Sequence, residues 1–137
     1  MLHVEHRANT QFDIVSGEHR VVTDQAREDG GDGAGMSPVE LFVGSLASCV
    51  AYFVGRFCER HGTPQEGLRV EAEWSMAERP HRVGAVELTV VLPTAIPESH
   101  RERLLKVAHG CTVHQSLGVP LSVQIGLRSR GASETSG

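Results

Sequence analysis

The order of its predicted elements places this chain of 137 residues in the α+β class. Three short strands come first, a long helix follows, and then two strands, a second helix and a last strand. Two observations predict this order: apolar residues alternate in the strands, and they recur every three or four residues in the helices. We therefore expect one domain over residues 1–130, with the long helix across a mostly antiparallel sheet, and a flexible tail over 131–137.

The N-terminal strands are predicted at residues 3–7, 11–17 and 19–24, because these stretches alternate or are rich in β-branched residues. Ser16 and Gly17 form the turn between the second and third strands. Residues 24–36 are rich in glycine and acidic residues, which predicts a flexible loop.

The long helix has the strongest local signals. Ser37 can act as the N-cap, Pro38 suits the first helical position, and Glu40 completes a capping box. One apolar face is then predicted at Phe42, Leu46, Cys49, Phe53 and Phe57, and a second face of small residues at Gly44, Ser48, Ala51, Gly55 and Cys58. A helix with two such faces is expected to be buried on both, and to end at His61-Gly62.

The second half of the chain is predicted to begin with a hairpin of strands at 68–76 and 85–93. A helix follows from Pro97 to Gly110, where the glycine suits a left-handed C-cap. Residues 112–117 fit one short helical turn, and 121–128 alternate as a last strand.

The composition excludes several classes of function. The net charge of −4 and the scattered arginines argue against a nucleic-acid partner. We see no signal-peptide pattern, and the apolar run 41–55 falls short of a membrane span. A soluble cytoplasmic protein is expected, and cysteines in that reducing compartment are more often catalytic or metal-binding than cross-linked.

The three cysteines allow different interpretations. Cys49 is either a small hydrophobic residue on a buried helix or a reactive thiol, which would need a cation beside it. Cys111 follows a helix-ending glycine, so it is either a capped junction or a thiolate stabilised by backbone N–H groups. Cys58 lies nine residues after Cys49, on the opposite side of the helix, and is interpreted as structural.

A metal site is the weaker interpretation of the stretch around Cys111. His109, Cys111 and His114 offer three ligand types, but their spacing matches none of the usual zinc patterns. We expect no bound metal, and histidines that cap or hydrogen-bond locally. From the residues alone, Glu40 is explained by the capping box and Arg27 by solvation.

The stretch GDGAGMSPVELFVGSLASC, followed by a hairpin and GCTVHQSL, resembles the OsmC/Ohr family of osmotically inducible and organic hydroperoxide resistance proteins. The resemblance covers almost the whole chain. It implies an intertwined homodimer in which mostly antiparallel sheets wrap around two long central helices, with active sites at the subunit boundary.

The resemblance also implies roles for particular residues. Cys49 would be the peroxidatic thiol and Cys111 the resolving thiol, with hydroperoxide as substrate, an external dithiol as reductant and no cofactor. Family members use an Arg from the preceding loop, for which Arg27 is the candidate and Arg20 a rival. The family also uses a Glu that holds this Arg, for which Glu40 is the candidate here. The family Glu directly follows the Pro, whereas here Val39 occupies that position and Glu40 the next, as in the OsmC-like branch.

Two hypotheses about function follow. The first is a thiol-dependent hydroperoxide reductase acting in oxidative-stress defence. The second is a non-catalytic dimeric protein that binds a small hydrophobic ligand between its helices, with passive thiols.

Overall fold

A computed structural model describes residues 1–131. Its elements follow the predicted order up to residue 117, and the α+β class is confirmed. The strands are β1 (Leu2–Ala8), β2 (Gln11–Ser16), β3 (His19–Thr23), β4 (Arg69–Ala77) and β5 (Arg82–Val91); the helices are α1 (Pro38–Arg60), α2 (Glu98–His109) and α3 (Thr112–Leu117), with one 3-10 turn at Arg27–Asp29.

The strands form two separate antiparallel sheets. One sheet has the order β1-β2-β3, and the other is the β4-β5 hairpin. In the hairpin Trp74 lies opposite Val86 and Glu73 opposite Glu87, so apolar and acidic residues occupy opposite faces. The apolar face packs on α1, and the three-stranded sheet contributes no residue to the buried core cluster.

The buried face of α1 differs from the predicted one. The fully buried positions are Val43, Leu46, Val50, Val54, Phe57 and Cys58. Phe42 is 40% exposed, and Cys49 and Phe53 lie only partly buried at the edge of the core. Leu46 and Phe57 of the predicted apolar face are buried, and Val43, Val50 and Val54 complete the buried stripe. In the predicted small-residue face Gly55 and Cys58 are buried but Gly44 and Ser48 are exposed, so the expected burial of this face holds only for its C-terminal half.

Helix α2 brings Leu104 and Ala108 against α1, and α3 starts directly after it. Gly110 has φ −86°, so the predicted left-handed C-cap is wrong. The chain turns instead through hydrogen bonds from Gly110 N to the carbonyls of Lys106 and Val107. The short helical turn predicted over 112–117 is confirmed as α3.

The last predicted strand does not form. Residues 121–128 have no secondary structure, and the alternating Leu121, Val123, Ile125 and Leu127 are 69–94% exposed. Apolar residues do alternate in this segment, but a strand also needs a neighbouring strand that accepts and donates its backbone hydrogen bonds. Among residues 1–131 no segment provides one. Residues 132–137, most of the predicted tail, lie outside the described chain.

The loop 24–36 is held by a buried carboxylate, which the prediction of a flexible loop missed. Asp24 is 1% exposed and accepts hydrogen bonds from the Thr10 hydroxyl and from the backbone N–H groups of Gln25, Asp32 and Ala34. These bonds, the one from Thr10 above all, lower the pKa of Asp24 from 3.8 to about 2. The loop is therefore an organised support for the start of α1.

Asp24→Asn is expected to reduce the acid sensitivity of the fold. Because the folded pKa is depressed, the carboxylate stabilises the protein above pH 3.8, and this contribution is lost as the pH falls toward about 2. Urea unfolding at pH 7 and pH 3 measures it. The free energy of unfolding should be lower for Asp24→Asn than for the parent at pH 7, with the difference shrinking at pH 3. An undiminished difference at pH 3 would contradict this account.

Within residues 1–131, α1 is the one helix whose length and mean hydropathy, 1.6 over 18 residues, would allow it to cross a membrane. The apolar run 41–55 lies inside this helix, which extends to 23 residues. Since α1 packs against β4, α2 and α3, it also fits the core helix of a soluble protein, which meets the same criterion.

Candidate functional site

The position of Cys49 is set by the start of α1. The capping box forms as predicted: Glu40 N donates to Ser37 Oγ at 3.2 Å, and Ser37 N donates to Glu40 Oε1 at 3.1 Å. Pro38 begins the helix. These bonds satisfy free N–H groups of the first turn and fix the helical register, which places Cys49 at the edge of the core.

Cys111 is held at the junction of α2 and α3. Its side chain is fully buried, and it is the N-cap of α3, with Sγ accepting a hydrogen bond from His114 N at 3.4 Å. Leu104 and Ala108 of α2 belong to the same buried cluster. The thiol therefore points into the protein rather than toward solvent.

Cys49 lies close to Cys111, because it packs against the buried cluster that contains Cys111. Burial is the main cause that raises the pKa of Cys111, and the neighbouring Cys49 raises it further. The N–H groups of His114 and Val113 oppose this by donating to the sulfur. The fold thus brings a partly exposed thiol on α1 beside a buried thiol at the start of α3, although 62 residues separate them in sequence.

Neighbouring thiols of this kind can exchange between a dithiol and a disulfide, provided that their backbones come within about 7 Å. Both are free here. Cys58 is also free and fully buried, and desolvation raises its pKa. It lies inside the core, consistent with the structural interpretation from the sequence.

The two candidate arginines are bonded to groups other than the thiols. Arg27 is exposed, and its Nε donates to the carbonyl of Asp32 within its own loop at 3.2 Å. Arg20 pairs with Asp13 at 2.9 Å in the three-stranded sheet. Neither is among the groups that shift the pKa of Cys111. Within one copy of the described chain, no guanidinium therefore stabilises a thiolate at Cys111.

The histidines around Cys111 bond locally. His114 Nδ1 donates to the carbonyl of His109 at 2.9 Å, and Gln115 donates to the same oxygen at 3.1 Å. No group of three or more His, Cys, Asp or Glu side chains in residues 1–131 is arranged to hold a metal ion. The zinc alternative at His109, Cys111 and His114 therefore has no geometric support.

An apolar pocket of about 260 Å³ opens between α1, β5 and the α2–α3 junction. Sequence reasoning did not single it out, although the alternating apolar residues of β5 were a usable signal. Since Leu46, Val50 and Ala108 also belong to the buried cluster around Cys111, the pocket adjoins the thiol pair. Its lining residues are Leu46, Val50, Val86, Leu88, Val90, Leu105, Ala108, His109 and His114.

The fold is an α+β arrangement in which the long helix α1 packs on an antiparallel hairpin. Two free cysteines lie near each other in it, Cys49 on α1 and Cys111 at the start of α3. The chain belongs to the OsmC-like protein family, whose family model matches residues 30–126. A search of curated proteins found no match.

Solved structures of the same fold come from several bacteria. A protein of Psychrobacter arcticus 273-4, provisionally named an osmotic stress induced and detoxification response protein, is 22% identical, with a TM-score of 0.78 over 84% of this chain and 85% of that one. An OsmC-like protein of Mycoplasma pneumoniae is 13% identical, with a TM-score of 0.71 over 86% of each chain. An organic hydroperoxide resistance protein of Legionella pneumophila is 21% identical, with a TM-score of 0.58 over 85% of this chain and 87% of that one.

Proposed function

We propose that this protein is a cytoplasmic thiol-dependent peroxidase that reduces hydroperoxides, chiefly organic ones, in oxidative-stress defence. The observation that carries the proposal is that the partly exposed Cys49 packs against the buried cluster that contains Cys111. Its OsmC-like family and the hydroperoxide resistance role named for the Legionella pneumophila protein support it.

The chemistry needs only two thiols and an external dithiol. The Cys49 thiolate attacks one oxygen of the peroxide ROOH, the O–O bond breaks, and the leaving alkoxide takes a proton to become ROH. Cys49 becomes a sulfenic acid. The Cys111 thiol attacks the sulfenic sulfur and expels water, which forms a disulfide. An external dithiol then reduces the disulfide by exchange and is itself oxidised to a disulfide.

Exposure decides which thiol has which role in this proposal. Cys49 is partly accessible, so a peroxide can reach it, whereas Cys111 is fully buried. Burial raises the pKa of Cys111, so this thiol stays protonated until the sulfenic acid forms beside it. A buried resolving thiol of this kind is protected from peroxide until the sulfenic acid has formed at Cys49.

One equivalent of hydroperoxide, added to the reduced protein without a reductant, is expected to join Cys49 to Cys111. The intact mass should fall by the mass of two hydrogens, and a protease digest should yield one cross-linked pair of peptides. Mass spectrometry measures both. The resolution step would be contradicted by sulfinic acid at Cys49 without a cross-link, or by a cross-link to Cys58.

A second copy of the chain completes the site in this proposal. A reactive thiolate needs a nearby cation, and Arg27 of the same copy is bonded within its own loop. Apolar side chains are also left exposed on one face of the three-stranded sheet, including Leu2, Val4 and Val21. A second copy that covers this face can bring its Arg27 to Cys49, which agrees with the homodimer that the family resemblance implies.

The homodimer is expected to have about twice the chain mass of 14.8 kDa in sedimentation equilibrium at micromolar concentration. Val4→Asp, on the exposed apolar face of the three-stranded sheet, should weaken it, because the substitution buries a charge in the interface. His3→Asp is the matched control, since strand alternation places His3 on the opposite face of the same sheet. A parent protein that sediments as a monomer would exclude the dimeric site.

The second candidate function, a non-catalytic binder of a small hydrophobic ligand, is favoured by the apolar pocket of about 260 Å³. Reaction of the reduced protein with a disulfide reagent at neutral pH separates the two functions. Fast modification of Cys49 supports the peroxidase, and an unreactive Cys49 supports the binder.

A further inference from the structure

The face of α1 that carries Cys49 continues past the thiol to two arginines. Phe53, Arg56 and Arg60 follow Cys49 at intervals of four, three and four residues, so all four side chains share one face of the helix. Cys49 and Phe53 are both partly buried. Cys49 thus lies at one end of a helix face that becomes cationic toward the helix C-terminus.

A groove of about 190 Å³ lies along this face, between α1 and α2. Val107 of α2 contributes to it and lies four residues before Cys111. Phe53 of α1 contributes to it and lies four residues after Cys49, so the groove has one end near the thiols. Its walls are apolar and aromatic at the end near the thiols and positively charged at the other. The lining residues are Tyr52, Phe53, Arg56, Phe57, Arg60, His61 and Val107.

The two guanidinium groups are available for an anion. Arg56 is about half exposed; its Nε lies 3.6 Å from Glu59 Oε2, and its NH1 donates to the Tyr52 hydroxyl at 3.3 Å. Arg60 forms no salt bridge within residues 1–131 and is exposed. A guanidinium binds a carboxylate through two parallel hydrogen bonds, which makes a carboxylate the favoured occupant of this end.

Helical geometry sets the length of the ligand. A rise of about 1.5 Å per residue places Arg56 about 10 Å and Arg60 about 16 Å along the axis from Cys49. This is the reach of an extended chain of roughly eight to twelve carbon–carbon bonds of about 1.5 Å each. The apolar walls suit such a chain because they remove it from water.

We propose that Arg56 and Arg60 are specificity-determining residues that bind the carboxylate of a medium-chain acid hydroperoxide, with its alkyl chain along the groove and its peroxide at Cys49. The proposal rests on the peroxidase function for the reaction but not for the binding of the acid itself. The proposal predicts that the site binds an acidic amphiphile more tightly than a neutral alkyl peroxide of equal length, because the arginines stabilise only the charged ligand.

Binding is tested with decanoate, which carries the chain and the charge but no peroxide. Isothermal titration of the reduced protein should show decanoate binding at least about tenfold tighter than 1-decanol. Arg56→Gln combined with Arg60→Gln should abolish this preference, and the two lysine substitutions should restore part of it. Arg69→Gln, on the outer face of β4, is the control and should change nothing. Equal affinity for decanoate and decanol in the parent would overturn the proposal.

Kinetics then separates this proposal from the peroxidase function. For a ten-carbon hydroperoxy acid, the double glutamine variant should raise KM about tenfold with kcat unchanged, and for the methyl ester it should change neither. Peroxidase activity without a preference for the acid would contradict the role of the two arginines and leave the peroxidase function supported. Charge-dependent decanoate binding without peroxidase activity would support the acid site and contradict the peroxidase function. Circular dichroism of each variant, compared with the parent, shows that the arginine changes leave the fold intact.

Discussion

Cys49→Ser is expected to reduce hydroperoxide consumption at least about 1,000-fold, with dithiothreitol as the reductant. A serine hydroxyl cannot form the sulfenic acid through which the oxygen leaves the peroxide, and no other accessible thiol in the described chain can replace it, because Cys58 and Cys111 are fully buried. Loss of peroxide, measured under excess reductant, gives the rate.

Two other cysteine substitutions make this result specific. Cys58→Ala, on the far side of the same helix, should keep most of the activity and cost about 1 kcal/mol of stability, because it opens a small cavity. Cys111→Ser should retain the first reaction with peroxide but stop at the sulfenic acid, which a sulfenic-specific reagent detects. Unchanged peroxide consumption by Cys49→Ser would remove Cys49 as the nucleophile.

The second large effect concerns Arg27. Arg27→Gln should slow peroxide consumption by about 100-fold or more, because loss of a neighbouring cation raises the pKa of a thiol and reduces its ionised fraction. Arg20→Gln should have little effect, since Arg20 is bonded to Asp13. A larger loss with Arg20→Gln would transfer the role to the rival arginine.

Mixed dimers test whether Arg27 acts across the subunit boundary. Co-expression of the Cys49→Ser chain with the Arg27→Gln chain should give heterodimers with one intact site, formed by Cys49 of one chain and Arg27 of the other. Random pairing predicts recovery of about a quarter of the parent activity from two nearly inactive chains. No recovery in purified heterodimers would show that Arg27 does not act in trans.

The elements that local chemistry specifies were predictable. The Ser37–Glu40 capping box marks the start of α1 from four adjacent residues, and the β2–β3 turn lies at Gly17-Glu18, one residue after the predicted Ser16-Gly17. Both depend on hydrogen bonds and backbone preferences within a few residues. Together with the second cysteine motif, the segment that starts α1 carries the resemblance to the OsmC/Ohr family.

The features that depend on distant contacts were missed or misplaced. Apolar spacing in α1 predicted Leu46 and Phe57 as core residues, but the burial of Val50 and Val54 beside them depends on packing against α2 and the β4-β5 hairpin. The glycine-rich loop looked flexible because the four donors to Asp24 are scattered over residues 10–34.

By itself, the sequence determined the α+β class, the boundaries of the capped helix and the two motifs that carry Cys49 and Cys111, because these depend on periodicity and neighbouring residues. The tertiary structure alone decided that the two thiols lie close together, that one is partly exposed and the other buried, and that Arg27 is bonded within its own loop. The physical reason is that burial, desolvation and charge proximity are properties of residues distant in sequence, and chain folding sets their separation.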